Sequence, residues 1–295
     1  MSEFKRGMGS ICDTLAKESL FTNKLMPDIN KGDVFFAIRG GYGSFYYKGC
    51  SLFRYEKGKF STHYKYGFVP HNIPKNDYIT EDKLHNMEKE TSFFSGYKRI
   101  KETAGQYKDV EAEGVSALYK FAPTSLNKTS QYFLVDIEIA FNSLKDAASS
   151  GSNGVSRKQD RIDILLYDNL NRTLLFCEAK HFSNHEIWSK EGKLPHVIGQ
   201  LNKYNKQLAD KKNEIIGEYA KAFSEYNSLV GSELISPPES IYNKCGLLIF
   251  GFDSLQKEKI HKLLIDDDSL KGHNHYKIGN VKEIQAAQLF SELTK

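Results

Sequence analysis

Residues 161–181 read RIDILLYDNLNRTLLFCEAKH. Two apolar runs, Ile162–Asp168 and Thr173–Lys180, flank a polar turn signal at Asn169–Arg172. Their near-continuous Leu, Ile, Phe and Tyr content predicts neighbouring central strands covered on both faces. With Asn169–Arg172 as the loop, Asp168 faces Thr173, and equal steps back along each strand set Asp163 opposite Glu178. Their Cβ atoms would then lie roughly 5 Å apart on one face of the sheet. Lys180, two positions past Glu178, points the same way.

Opposed carboxylates in an apolar setting repel, so this face calls for a cation or a shared proton. Lys180 offsets part of the repulsion. A divalent ion held by both acids offsets more, and Mg²⁺ or Mn²⁺ suits one or two carboxylates completed by water and phosphate oxygens. A Lewis acid, a generator of nucleophile and a lysine on a rigid sheet are the equipment of phosphodiester hydrolysis. The bland alternative is a surface salt bridge at a hairpin end. Against it, the acids interrupt runs that are otherwise apolar on both faces.

The surrounding elements follow from periodicity. Residues 33–68 are rich in aromatic and β-branched side chains and are cut by GGYG, KG and EKGK, predicting an antiparallel unit of three to five strands. VPHNIPKNDY at 69–78 reads as a boundary, giving an N-terminal β-rich unit over 1–80 and a second domain over 81–295. Helix is expected between Glu81 and Phe121, broken near Gly105. YFLVDIEIAF at 132–141 alternates, placing Asp136 and Glu138 on a solvated strand face. The Gly/Ser-rich segment that follows reads as a loop ending in the basic Arg157, Lys158 and Arg161. One or two helices span His196 to Val230, with Val197, Leu201, Tyr204 and Leu208 as an apolar stripe. CGLLIFGF is a further buried strand, SLQKEKIHKLLI a helix, HYKIG a short strand and NVKEIQAAQLFSEL a closing helix. The fold class is α/β (α+β), with a central mixed sheet flanked by helices.

RIDILLYD followed by FCEAK resembles the D-x(n)-E-x-K motif of the PD-(D/E)xK nuclease superfamily, the restriction-endonuclease-like fold. The predicted order of helix, three strands, helix and strand from residue 106 to Phe252 is that of the family core. QLNKY places Gln200 and Tyr204 beyond Lys180 on the next helix, and is similar to the QxxxY motif of RecB-like and Cas4-like members. The resemblance implies a Mg²⁺- or Mn²⁺-dependent nuclease in which Asp163 and Glu178 bind metal and Lys180 positions the attacking water. It implies further that Gln200 and Tyr204 help position the nucleic-acid backbone and the lysine. The family's proline before the aspartate is missing, with Arg161 and Ile162 in its place, and no upstream helical histidine stands out.

Many members of the family add a third acid from the preceding helix. Val110, Glu113, Ala117 and Phe121 fall at helical steps, which makes Glu113 the carboxylate of that face, with Glu138 as the weaker alternative. Arg157, Lys158 and Arg161 stand where a basic run would steer a polyanion toward the site. His181, Asn184, Trp188, Lys190 and Lys193 are further positions for substrate contact, with loop or packing roles as the plainer reading.

Composition agrees without adding detail. The 295 residues are 40% hydrophobic and 26% charged with a net charge of +4, which permits a polyanionic partner without requiring one. Cys12, Cys50, Cys177 and Cys245 lack CxxC spacing and read as reduced, packed thiols. No apolar run is long enough for a membrane span and no signal-peptide pattern opens the chain, so a cytoplasmic protein with no membrane partner is expected. P-loop, HExxH and GxSxG templates find no match. The expected substrate is nucleic acid, DNA in preference to RNA, in defence against or processing of foreign DNA. A homodimer or a protein partner is compatible with this. The competing readings are a non-catalytic nucleic-acid- or protein-binding module on the same fold, and a nuclease subunit active only within a larger complex.

Overall fold

The computed structural model describes residues 4–67, 78–84, 92–141, 161–189, 193–260 and 270–295. It is a mixed α/β structure containing two sheets. Arg157 and Lys158, most of the 69–78 boundary and much of the helix expected at 254–265 lie outside the described residues.

The first sheet is antiparallel, in the order β1 (Val34–Arg39), β2 (Tyr42–Tyr47), β3 (Cys50–Glu56), β4 (Lys59–His63) and β5 (Tyr78–Thr80). Its hairpins close where the glycine signals stand. Lys48-Gly49 and Lys57-Gly58 all have positive φ, the two-residue turn that matches strand twist. Gly49 has a second role: a Cβ there would come within 2.2 Å of the Ala112 Cβ, so its bare backbone lets this turn dock onto the next layer.

Ala112 belongs to α4 (Val110–Ser116), which follows α1 (Ile11–Leu15), α2 (Met26–Asn30) and α3 (Tyr97–Ala104) along the chain and precedes the second sheet. The strands are β6 (Tyr132–Ala140), β7 (Arg161–Asp168), β8 (Thr173–His181), β9 (Ser240–Ile241), β10 (Gly246–Phe250) and β11 (His275–Ile278). Their order is β11-β10-β8-β7-β6, with the short β9 beside β8. β6, β7 and β8 form an antiparallel meander, whereas β10 runs parallel to β8 and β11 parallel to β10. The parallel return from β8 to β10 passes through α5 (His196–Asp210) and α6 (Lys212–Val230). The chain closes with α7 (Ala286–Leu293), shorter than the helix expected at 280–293.

Apolar packing joins the two sheets. One continuous core cluster contains Phe45 and Phe53 of the first sheet together with Phe133, Tyr167 and Phe176 of the second. Phe4, ahead of α1, belongs to the same cluster and stacks on Phe141 at 5.1 Å. The extended segment before α1 lies along α6, where the backbone N–H groups of Arg6 and Met8 donate to Glu218 at 2.7 Å and Glu225 at 2.6 Å. All four cysteines are buried free thiols.

Strand β6 departs from simple alternation. Its ladder with β7 shifts register between Leu134 and Asp136, and Glu138 takes the left-handed φ of 51°. A bulge of this kind re-aims side chains. Asp136, expected on a solvated face, is instead 1% exposed: it accepts from Arg6 Nε at 3.1 Å and from Tyr219, and it is paired with Arg39. An isolated carboxylate could not be buried at such a place; two guanidiniums from the N-terminal part of the chain make it tolerable.

Candidate active site

The β7–β8 register runs from Asp168 opposite Thr173 to Ile164 opposite Cys177, so Asp163 and Glu178 occupy the next position along the hairpin. Here the strands part. The Asp163 carboxylate takes over a ladder position and accepts from the Ala179 N–H at 2.8 Å. Glu178 Oε1 lies 2.8 Å from the Lys180 ammonium, while Glu178 Oε2 is buried with no hydrogen-bond donor among the described residues. Glu178 and Lys180 are 2% and 7% exposed.

These side chains line one cleft of about 850 Å³ at the C-terminal end of β8. Two further walls come from the start of α4 and the first turns of α5, and a third from the loop and short 3₁₀ turn His185–Ile187. The α5 stripe of Val197, Leu201, Tyr204 and Leu208 is buried against the core. Gln200 lines the cleft, and its Oε1 is buried without a partner among the described residues. Tyr204, one helical turn on, donates its hydroxyl to the Arg161 carbonyl at 2.8 Å, pinning the start of the strand that carries Asp163. Arg161 itself is exposed at the rim and pairs with Glu138 at 3.3 Å.

The carboxylate that α4 brings to the cleft is Glu111. Its Oε1 accepts from the His181 N–H at 2.9 Å and from Asn184 Nδ2 at 2.7 Å, which holds it over the end of β8. Glu113 points elsewhere, pairs with Lys108 and is not among the residues lining the cleft. The stripe drawn through Val110 and Glu113 is the more exposed one, with Val110 59% exposed at the mouth of the cleft. The inner stripe runs Glu111, Val115, Leu118 and Ala122, also at helical steps, and was available in the sequence. Gly114 seats it: a Cβ there would lie 2.1 Å from the Phe250 ring, so only glycine lets α4 come this close to β10.

Glu186 is the residue that no motif signalled. From the 3₁₀ turn it reaches Lys180 Nζ at 2.8 Å and His196 Nδ1 at 3.5 Å. Trp188 packs away from the cleft, donating to the Phe182 carbonyl at 3.1 Å beneath Lys259. Lys190 lies outside the described residues, and Lys193 is not a lining residue.

Electrostatics sets the protonation. Burial, then the neighbouring Glu178, push the Asp163 carboxyl well above the usual range. Burial raises Glu178 to about 7, with Lys180 pulling the other way. For Lys180, burial opposes the charge, but Glu178, Glu186 and Asp163 together outweigh it and hold the ammonium above its ordinary value. Lys180 therefore stays cationic at neutral pH, and the two carboxyls hold more protons than free acids would.

The donor set fits a hard divalent cation. Both acids offer oxygen, one oxygen of Glu178 is buried and unused, and their mutual repulsion is what a cation between them relieves. Among the described residues no group of three or more His, Cys, Asp and Glu side chains is gathered to hold a metal unaided. A divalent cation held by Asp163 and Glu178 would draw its remaining ligands from solvent or substrate oxygens.

No family model, curated protein or solved structure matches this chain. Among the described residues no helix is long and apolar enough to cross a membrane.

Proposed function

We propose that this chain is a metal-dependent nuclease hydrolysing phosphodiester bonds, in DNA rather than RNA, on a restriction-endonuclease-like core of the PD-(D/E)xK type. The observation that carries the reading is the union, in one cleft, of the partly buried Asp163 carboxyl, the buried Glu178 carboxyl and a lysine held between Glu178 and Glu186. The order α4, β6, β7, β8, α5, β10 supports the core assignment, and Gln200 and Tyr204 on α5 support the RecB-like resemblance.

Asp163 and Glu178 would hold the Mg²⁺ or Mn²⁺, which when bound supplies charge neutralisation at the phosphate and acidifies water. Lys180, kept charged by its carboxylate neighbours, donates to the attacking water or to a non-bridging phosphate oxygen. Glu186 orients Lys180 from outside the metal-binding pair. Tyr204 fixes the strand under Asp163, and Gln200 offers an amide to the substrate backbone. Glu111, bonded to the end of β8, is the third acid nearest this pair along α4.

Incubation with DNA and with RNA in Mg²⁺ or Mn²⁺, beside Lys180→Ala and Asp163→Ala, tests the proposal. Metal-dependent cleavage by the wild type and its loss in both variants is the expected result; cleavage that survives both substitutions would overturn it.

A further inference from the structure

A second cleft, of about 320 Å³, opens beyond the rim of the first and shares Glu138 and Arg161 with it. It lies between the β1–β2 hairpin and β6, and is lined by Arg6, Arg39, Tyr42 and Tyr46. Two features set its chemistry. Arg6 and Arg39 share a single carboxylate, Asp136, so this wall keeps one positive charge in excess. An anion entering the cleft meets that excess positive charge beside the Arg161–Glu138 pair at its edge. Tyr42 is the second feature: the Arg54 guanidinium lies 3.7 Å from its ring centroid, which steadies a half-exposed aromatic at the cleft wall. Guanidinium beside aromatic ring is the combination that takes phosphate and base together.

Resting on the nuclease reading, we infer that this second cleft binds one unpaired nucleotide of the substrate strand, with its phosphate toward Arg39 and Arg161 and its base on Tyr42. Stacking decides the strandedness: a base can lie on Tyr42 only once it has left its own stack, as in an unpaired strand. The cleft volume, at the small end for ligand pockets of about 300–1,000 Å³, admits a single nucleotide. The N-terminal sheet thereby acquires a role, presenting single-stranded nucleic acid to the cleft that holds Asp163 and Glu178.

Fluorescence anisotropy in EDTA, with labelled oligothymidylate, oligouridylate and a blunt DNA duplex as probes, tests this separately from cleavage. Tyr42→Ala should weaken oligothymidylate binding about tenfold, as expected for loss of one stacking contact. Tyr42→Phe should retain the affinity, and duplex binding should change less than twofold. Arg161→Ala should reduce the salt dependence of single-strand binding by about one counterion. Oligouridylate bound as tightly as oligothymidylate supports the site with either sugar. Equal affinity of wild type and Tyr42→Ala for both single strands, or a stronger effect on the duplex, overturns the inference even if metal-dependent cleavage is present. Single-strand binding that depends on Tyr42 in a chain that cleaves nothing upholds this cleft and defeats the nuclease assignment.

Discussion

Lys180 and Glu186 meet at 2.8 Å, a strand ammonium against a carboxylate from the turn that follows. Lys180 makes a second contact at the same distance with Glu178, so it is shared between an acid of the proposed metal pair and one outside it. Glu186 in turn reaches His196 at the start of α5. The lysine is thus tied to the helix that carries Gln200 and Tyr204.

Replacing Glu186 with Gln removes one of two anions facing Lys180. We predict a fall in turnover of about tenfold or more, as for other residues that orient a metal-site group. Because Glu186 helps to raise Lys180, the basic limb of the pH–rate profile should move to lower pH. Glu186→Asp should recover part of both effects. A variant with unchanged turnover and unchanged profile would exclude a positioning role.

Glu178→Gln removes a charge that burial disfavours and that Glu186 and Glu111 repel. Without divalent metal at pH 8 the variant should be more stable than the wild type, by roughly 1–3 kcal/mol in urea unfolding, because the fold disfavours the ionised Glu178 carboxyl. The stabilisation that Mn²⁺ gives the wild type should vanish. A less stable variant in EDTA would show that the bond to Lys180 outweighs the repulsion.

Stability of the metal-free protein should fall as pH rises from about 4.5 to about 7. The Glu178 carboxyl titrates near 4.5 when unfolded and about 7 when folded, so in this window the native state binds the extra proton. Its contribution is fully present below the lower value and is lost as pH passes the upper one, amounting to about 3 kcal/mol. Thermal melts in EDTA across this range should show the slope, and Glu178→Gln should reduce it, leaving the part that the raised Asp163 carboxyl contributes. A slope unchanged in the variant would assign the whole effect to Asp163 or another group.

Asp136→Ala leaves Arg6 and Arg39 buried without their carboxylate. A loss of about 3–5 kcal/mol is expected. Because the core is continuous across both sheets, unfolding should remain one transition by circular dichroism and by the fluorescence of Trp188. Two separated transitions would show that the sheets fold independently.

Much of the architecture was legible because it rests on local rules. Strands β7 and β8 and their register followed from two apolar runs and a four-residue loop. The hairpins of the first sheet followed from glycine at the turns. The α5 stripe followed from helical spacing. The third acid was misplaced for an equally local reason: α4 carries two plausible stripes, and only packing against β10 decides that Glu111 faces in. Asp136 was misread because alternation assumes an unbulged strand, and the register shift after Leu134 turns it into the core.

By itself, the sequence determined the hairpin, the facing of Asp163 and Glu178, the side on which Lys180 lies and the helix bearing Gln200 and Tyr204. Period-two and period-3.6 geometry place these residues whatever else the chain does. Tertiary structure alone decided that Glu186 holds Lys180, that Glu111 crowns β8 and that two N-terminal arginines share Asp136. Each of those contacts joins elements whose separation in space no local period encodes. They form because burying the facing surfaces brings charges together that then need partners.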